Sequence, residues 1–217
     1  ADRLWTAGVN DLTASTDQEI AASLGYNRAA QTGGAAAPRQ PLLRASGALP
    51  RSLDWRERRP SVVTAMKSQG HCGSCWAFAA TAALESHVAI KTGVLFDLSP
   101  QQVTSCAPNP DHCGGQGGCT GSTAQLAFNY TIQVGINSQW NYPYTSGISG
   151  RSEECMTLRR PGAKALSKYD GRVAGITGYA QVPQNDARAL LAAALEGPVV
   201  VSVAAGRWYL YHGGVFD

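Results

Sequence analysis

The chain has 217 residues, of which 44% are apolar and 15% charged, a composition typical of a globular protein of one or two domains rather than a disordered one. The net charge of +3 is small and scattered along the chain, so we expect no nucleic-acid partner. We also expect no membrane span, because the best apolar candidate, residues 189–205, is broken by Glu196, Gly197 and Pro198.

The first 48 residues differ in character from the rest of the sequence. Asp17 to Leu24 are predicted to form one short helix that is capped near Thr16. Residues 33–38 contain only glycine, alanine and proline, which predicts a flexible segment of low complexity. We therefore place a boundary near Leu49 and separate a leader, residues 1–48, from a main domain, residues 49–217.

Helices are predicted to dominate the first half of the main domain. Trp76 to Lys91 form an alanine-rich run that ends before Gly93, and a helix so apolar on most faces should be buried. Ser99 and Pro100 predict the start of another helix, which ends near Thr104. Two further helices are predicted at residues 123–134 and 185–195.

The end of the chain is predicted to contain strands. Val199 to Ala204 are rich in valine and predict an extended segment, with Tyr209 to Phe216 as its hairpin partner. Helices first and strands last indicate an α+β fold. The six cysteines are concentrated in one part of the chain, which favours an oxidising compartment in which disulfides form.

The residues around Cys75 have the features of a reactive thiol. Glycines precede this cysteine, which is predicted to open the long buried helix. The positive end of a helix dipole stabilises a thiolate, and the thiolate is the nucleophilic form of the side chain. Unpaired backbone N–H groups of the first turn can hold the oxyanion of a tetrahedral intermediate. Gln69, six residues upstream, can add a side-chain N–H donor.

The segment Cys72-Gly73-Ser74-Cys75-Trp76 matches the signature of the papain and cathepsin family of cysteine peptidases. Between about residue 50 and the end, further segments resemble that family in the same order: Leu53–Arg56, Leu98–Val103, Cys119–Ser122, Tyr142–Tyr144, Gly197–Val199 and Gly213–Phe216. The resemblance implies a papain-like two-lobed fold, with a helical lobe built on a long central helix and a partial β-rich lobe.

The resemblance also implies a function, namely hydrolysis of peptide bonds by an endopeptidase or exopeptidase that uses no cofactor and no metal. It makes Cys75 the nucleophile, and it makes Gln69 and the backbone N–H of Cys75 the donors to the oxyanion. The implied substrate-binding residues are Gly73, Gly121, Ser122, Thr123 and Ser202. Because Ser122 stands where the family has glycine, its side chain is expected to crowd the cleft.

Two covalent features are expected as well. By the same resemblance, Cys72 pairs with Cys119 and Cys106 pairs with Cys155, which leaves Cys75 free and Cys113 without an assigned partner. Asn129-Tyr130-Thr131 is a glycosylation sequon, although it falls inside a predicted helix.

The leader resembles the later part of the family's pro-region, so residues 1–48 are expected to be a partial pro-segment of a zymogen. Tyr26 to Arg44 are the piece expected to run through the cleft, in the direction opposite to substrate. The small residues 33–37 would let this backbone pass close to Cys75. Removal is expected to need a cut between Arg44 and Leu49. The resemblance places such a protein in the secretory pathway, in a lysosome or vacuole or outside the cell.

A general base for Cys75 is not evident in the sequence. His212 lies within the ~130–150 residues that separate cysteine and histidine in the family. It nevertheless comes just before the Gly-Gly-aromatic segment, whereas the family histidine follows that segment. Extra residues near 108–118 would push the expected histidine beyond residue 217. We therefore expect a chain that is truncated before its catalytic histidine and inactive alone, with the remainder on a longer polypeptide or a companion chain.

Three alternatives stay open at this point. Cys72 and Cys75 could form a redox pair of the thioredoxin type, which expects a strand just before the motif. A zinc site built from Cys72, Cys75, Cys106 and Cys113 would need a second closely spaced pair, which the sequence lacks. The more serious alternative is a catalytically inactive papain-fold scaffold or binding subunit, because a fold does not determine a function.

Overall fold

The computed structural model of the chain describes residues 4–10, 12–27, 49–156 and 171–216. The helices are α1 (Asp17–Ser23), α2 (Cys75–Thr92), α3 (Pro100–Cys106), α4 (Ala124–Val134), α5 (Ser146–Ser149) and α6 (Ala187–Glu196). The strands are β1 (Trp5–Ala7), β2 (Ile136–Asn137), β3 (Arg172–Ala174) and β4 (Tyr211–Gly214). The predicted α+β class is confirmed.

The core of the molecule lies around α2, which packs against α3 and α4. Ala77 and Ala80 are fully buried on α2 and let the neighbouring helices approach closely. Gly93 ends α2 in the left-handed conformation, with φ of 77°, where a glycine has no steric cost. The buried apolar cluster consists of Trp76, Ala77, Ala80, Leu84, Leu98, Val103, Ala127, Tyr130 and Ile136.

A buried ion pair ties the chain segment before α2 to the helix itself. Glu85 on α2 is fully buried, and its carboxylate accepts a hydrogen bond from the Lys67 ammonium at 2.7 Å. The same carboxylate accepts from the backbone N–H of Leu98 at 2.8 Å and from the hydroxyl of Thr64. Because all these groups converge on one carboxylate, they fasten residues 64–67 and Leu98 to the middle of α2.

Helix α1 of the leader begins where the sequence predicts. Thr16 caps it with a reciprocal pair of hydrogen bonds, in which Glu19 accepts from the Thr16 backbone N–H at 2.8 Å. This bond lowers the pKa of the Glu19 carboxyl below its ordinary value. None of the residues of α1 is buried, so the cap and the flanking chain, rather than a packed face, hold the helix in place.

The predicted hairpin at the end of the chain is wrong. Residues 199–205 form no strand, because a turn from Ala205 to Trp208 and a short 3-10 helix at Trp208–Leu210 lead the chain away from them. Strand β4 pairs instead with β1 of the leader, in antiparallel register with Trp5 opposite Gly214. The Trp5 ring packs on Phe216 with centroids 4.7 Å apart. The leader thus supplies the pairing that the hairpin was expected to supply.

The second sheet is formed by β2 and β3, which are antiparallel with Ile136 opposite Ala174. Within the described ranges, no helix is long and apolar enough to cross a membrane.

Candidate active site

Cys75 is the first residue of α2, and its thiol is free and half-buried. The disulfide between Cys72 and Cys119 fixes the turn that precedes the helix, and the Gly73 N–H donates to the Cys119 carbonyl at 2.9 Å. The Trp76 indole N–H donates to the Gly118 carbonyl at 3.0 Å. The turn is therefore held on both sides, and it places the thiol where the backbone N–H groups of a helix have no partner within the helix.

Gln69 is held beside this turn by a tyrosine. The Tyr144 hydroxyl donates to the Gln69 carbonyl at 2.9 Å and lies 2.7 Å from the Ser74 hydroxyl. Burial raises the pKa of the Tyr144 phenol, so the hydroxyl keeps its proton at neutral and mildly alkaline pH. No role for Tyr144 or Ser74 was predicted from the sequence, where the only signal is that both fall in segments that resemble the family.

The leader reaches the site through residues 22–27. The Ser23 carbonyl accepts a hydrogen bond from Gln69 Nε2 at 2.8 Å. Two residues further on, the Gly25 carbonyl accepts from the Ser122 N–H at 2.9 Å. A methyl group built on Gly25 would lie 2.9 Å from Cys75 Sγ, so the leader backbone lies directly against the thiol.

This contact begins upstream of the predicted piece. Tyr26–Arg44 were predicted to run through the cleft, whereas Ser23 and Gly25, which precede them, already contact the site in the structure. Tyr26 and Asn27 also lie at the cleft, and the Asn27 N–H donates to the Gly114 carbonyl at 2.8 Å. The rest of the predicted piece, residues 28–44, lies outside the described residues, as do the glycines and alanines of 33–37 and the expected cut after Arg44.

Ser122 does not crowd the cleft with its side chain, contrary to the expectation from the sequence. The residue is only 1% exposed, and its hydroxyl donates to the Cys113 carbonyl at 2.8 Å. The hydroxyl is thus bonded to the loop of residues 108–118, and the backbone N–H of Ser122 is the group that meets the leader.

Of the other expected substrate-binding residues, two contact the leader and two do not have a described bond to it. Methyl groups built on Gly73 and Gly121 would meet the carbonyls of Ala22 and Gly25, so both glycines lie against the leader. Thr123 caps α4, where its hydroxyl accepts from the Leu126 N–H at 3.4 Å. Ser202 lies on the exposed segment 199–205, and none of the described hydrogen bonds joins it to the cleft.

The four histidines lie elsewhere, and in the described part of the chain none of them shares a hydrogen bond with Cys75. His87 lies in the later half of α2, with its Nε2 3.1 Å from the Pro198 carbonyl. The His212 ring covers Gly8 of the leader beside the β1–β4 pair. His71 and His112 are exposed on turns.

The disulfides of the structure join Cys72 to Cys119 and Cys106 to Cys155, the same pairs that the resemblance implies. Cys75 and Cys113 form no disulfide. These bonds remove the thioredoxin-type alternative, because Cys72 is not paired with Cys75, and they remove the four-cysteine zinc site. No group of three or more potential metal ligands is found among the described residues.

The sequon residue Asn129 lies in α4, as predicted. Its partner Thr131 is 1% exposed and donates its hydroxyl to the Ala127 carbonyl within the helix at 2.9 Å. Recognition of this sequon therefore requires that α4 is not yet formed.

The site thus has a thiol at the start of a buried helix, next to a cleft that holds the backbone of the leader. The model of the papain family cysteine proteases matches residues 49–217. The chain belongs to this family.

Similar proteins come from animals and plants. The chain is 42% identical over 171 residues to zingipain-1 of Zingiber officinale, which covers 77% of the chain and 67% of that protein. It is 34% identical over 221 residues to cathepsin S of Rattus norvegicus, which covers 98% of the chain and 60% of that protein.

Solved structures of proforms have the same fold. Digestive procathepsin L 3 from the larval midgut of Tenebrio molitor has a TM-score of 0.76 at 26% identity and covers 98% of this chain. The recombinant stem bromelain precursor has a TM-score of 0.74 at 32% identity and covers 99%. This chain spans 62% of each of those two chains, and between 31% and 67% of the length of the curated relatives.

Proposed function

We propose that the chain is part of a cysteine peptidase, made as a zymogen, that hydrolyses peptide bonds through the thiolate of Cys75. One observation carries the proposal. The free thiol lies at the first residue of α2 beside Gln69, and the Gln69 side chain donates to a backbone carbonyl of the chain's own leader. The N–H donor of Gln69 thus binds a polypeptide carbonyl, and the backbone of Gly25 in the same leader segment lies against the thiol.

The proposed chemistry follows from the groups at the helix terminus. The Cys75 thiolate attacks a peptide carbonyl carbon, and the carbonyl oxygen becomes an oxyanion. The backbone N–H of Cys75 and the Nε2 group of Gln69 are the proposed donors to this oxyanion. In other enzymes, the removal of one such donor lowers kcat by a factor of about 10²–10³. Gly73, Gly121 and Ser122 are the proposed substrate-binding residues beside Cys75, with Thr123 and Ser202 proposed further out.

The base that takes the thiol proton is proposed to be a histidine in the portion of the family fold that this chain does not span. Support comes from the described hydrogen bonds, none of which joins a histidine to Cys75, and from the 62% share of the solved proforms. That portion is proposed to lie on a longer polypeptide or on a companion chain. The proposal covers both endopeptidase and exopeptidase action.

Residues 1–48 are proposed to be a partial pro-segment that inhibits the main domain, residues 49–217. The leader is anchored at two places, by β1 against β4 and by Ser23–Asn27 in the cleft. A leader backbone that runs opposite to substrate uses the same hydrogen bonds while its carbonyls are misplaced for attack. The two disulfides favour synthesis in the secretory pathway, and a lysosomal, vacuolar or extracellular destination is proposed.

The second candidate function is a catalytically inactive papain-fold scaffold or binding subunit. The observation that favours it is that no described histidine bonds to Cys75. The two candidates differ in what the leader-free protein does with a peptide.

The test uses leader-free protein prepared from the full-length polypeptide, with a fluorogenic peptide as substrate. The proposal predicts hydrolysis that Cys75→Ser abolishes and that Cys113→Ser retains, since Cys113 is the other cysteine outside the two disulfides. Binding of peptide without hydrolysis in the unchanged protein would favour the scaffold. Equal hydrolysis by Cys75→Ser and the unchanged protein would refute Cys75 as nucleophile.

A further inference from the structure

The side-chain amide of Gln69 has two N–H groups, and one of them is bonded within the main domain. Its Nε2 donates to the Cys72 carbonyl at 2.9 Å and to the Ser23 carbonyl of the leader at 2.8 Å. The bond to Cys72 does not depend on the leader, so it orients the planar amide and leaves the other N–H to point into the cleft. The place of this second N–H then depends on how firmly the backbone of Gln69 is held.

The backbone around Gln69 is held by a neighbouring chain segment. The Tyr144 hydroxyl donates to the Gln69 carbonyl at 2.9 Å, and the Gly147 carbonyl accepts from the His71 N–H at 2.9 Å. Between these two bonds, Gly70 has a φ of 57°, and a methyl group built on it would lie 2.5 Å from the Gly147 carbonyl oxygen. The two segments therefore pack backbone against backbone, and the Tyr144 side chain fastens the residue that carries the amide.

Tyr144 is itself fixed by two helices. Its ring packs edge-on against Phe78 of α2, with ring centroids 4.7 Å apart. The next two backbone N–H groups, those of Thr145 and Ser146, donate to the side chain of Gln101 at 2.8 and 2.9 Å. Gln101 is a buried residue of α3. The Tyr144 hydroxyl is therefore presented to Gln69 from a rigid part of the fold.

Ser74 orients the Tyr144 hydroxyl instead of capping its own helix. Ser99, which precedes α3, accepts a backbone N–H of that helix with its side chain, whereas Ser74, fully buried before α2, makes no such bond. The Ser74 hydroxyl lies 2.7 Å from the Tyr144 hydroxyl, closer than its 3.5 Å contact with the Cys72 carbonyl. Because Tyr144 donates its single proton to Gln69, the Ser74 hydroxyl donates to Tyr144.

We propose that Tyr144 is a positioning residue for the oxyanion donor. Its hydroxyl, oriented by Ser74, holds the backbone of Gln69 so that the second N–H of the Gln69 amide meets the oxyanion that forms on the peptide carbonyl. Tyr144 acts through Gln69 and is not itself a donor to the oxyanion. The inference rests on the proposed function, because it explains how one of the two proposed donors is kept in place.

The first test measures peptide hydrolysis by leader-free protein from the full-length polypeptide. Tyr144→Phe keeps the ring and removes the hydroxyl, so we expect it to lower kcat about 10-fold and to change KM less than about 2-fold. Ser74→Ala should lower kcat about 3-fold and add no loss to Tyr144→Phe. Tyr142→Phe is the matched control. The hydroxyl of this buried tyrosine bonds to Glu154 and Met156, so its removal should lower the melting temperature and leave kcat unchanged.

Alkylation of Cys75 separates positioning from a general loss of structure. Iodoacetamide reacts with a thiolate by displacement at carbon, and no oxyanion forms. Tyr144→Phe should therefore be alkylated at Cys75 at the rate of the unchanged protein. The inference is overturned if kcat and the alkylation rate fall by the same factor, if kcat does not fall, or if the change is confined to KM.

A binding cycle decides the inference even if the protein hydrolyses no peptide. The synthetic leader, residues 1–48, is titrated onto leader-free Cys75→Ser protein, where the Ser23 carbonyl binds the Gln69 amide. Gln69→Ala should weaken binding about 5-fold and Tyr144→Phe about 3-fold. The double variant should bind as Gln69→Ala does, since Tyr144 acts through Gln69. Full binding by Tyr144→Phe, or losses that multiply in the double variant, would refute the positioning role.

Discussion

Replacement of Gly25 by valine should release the leader from the cleft. A methyl group at this position would clash with the Gly73 carbonyl and lie 2.9 Å from Cys75 Sγ. Both are fixed, since the disulfide at Cys72 and the start of α2 hold the turn. The leader must therefore move away, whereas the turn stays in place.

The size of the effect follows from the hydrogen bonds that the leader loses. Three of the described hydrogen bonds join residues 23–27 to the main domain. The carbonyls of Ser23 and Gly25 accept two of them, and the N–H of Asn27 donates the third. At about 1 kcal/mol for each bond, their loss weakens the closed state by about 3 kcal/mol, which raises the open fraction roughly 100-fold.

The assay is the alkylation rate of Cys75 in the uncut full-length precursor, followed by mass spectrometry of the Cys75 peptide. We expect Gly25→Val to react roughly 100-fold faster than the unchanged precursor when closing is faster than alkylation. Ala21→Val, which enlarges an exposed residue of α1, is the matched control and should leave the rate unchanged. An unchanged rate in Gly25→Val would refute the direct contact between leader and thiol.

Three further predictions concern other parts of the molecule. Lys67→Met should lower the free energy of unfolding by about 3–5 kcal/mol, because Glu85 is left as a buried charge without its partner. The double variant Lys67→Met/Glu85→Leu should recover most of the lost free energy of unfolding, measured by urea denaturation. The hydrogen bonds from Arg56 lower the pKa of Asp54 from 3.8 to about 2, so this pair stabilises the fold above pH 3.8 and its contribution is lost as the pH falls from 3.8 to about 2. An NMR titration should show that midpoint, and Arg56→Ala should return it toward 3.8. Asn129 remains a predicted glycan acceptor that is modified before α4 forms, so endoglycosidase should reduce the mass of secreted protein, and an unchanged mass would count against it.

The helices around the site could be predicted because their signals are local. Ser99 with Pro100 marks the start of α3, and Gly93 marks the end of the alanine-rich helix α2. Thr16 likewise predicts the start of α1, and the structure has the full capping box there. The place of Cys75 could be predicted from a short motif, because it requires only that the cysteine is the first residue of a buried helix.

The strands and the leader contacts could not be predicted in the same way. Valine-rich residues 199–204 have high β-propensity, but a strand forms only where another strand pairs with it. The partner of β4 is β1, nearly the whole chain away, and no local pattern reports a pairing of Trp5 with Gly214. No hydrophobic pattern at Ser23 or Gly25 indicates that these residues bind in the cleft. The contact was therefore predicted too far towards the end of the leader.

The prediction for the Ser122 side chain was wrong for a related reason. The family resemblance gives a glycine at this position, and an added hydroxyl was expected in the cleft. In the structure the hydroxyl donates to the Cys113 carbonyl, in a loop that lies outside the motif that carried the resemblance. A motif predicts the backbone that it shares with its family, but it does not contain the partners that a neighbouring loop supplies.

The central claim is that Cys75 is a nucleophile that the chain's own leader covers, and one measurement tests it most directly. The full-length precursor is treated with a thiol-directed alkylating reagent before and after a cut near Arg44, and the rates at Cys75 and Cys113 are compared. The account predicts that Cys75 reacts much faster after the cut while the buried Cys113 stays slow in both forms. Equal rates at Cys75 before and after the cut would contradict inhibition by the leader and favour the scaffold.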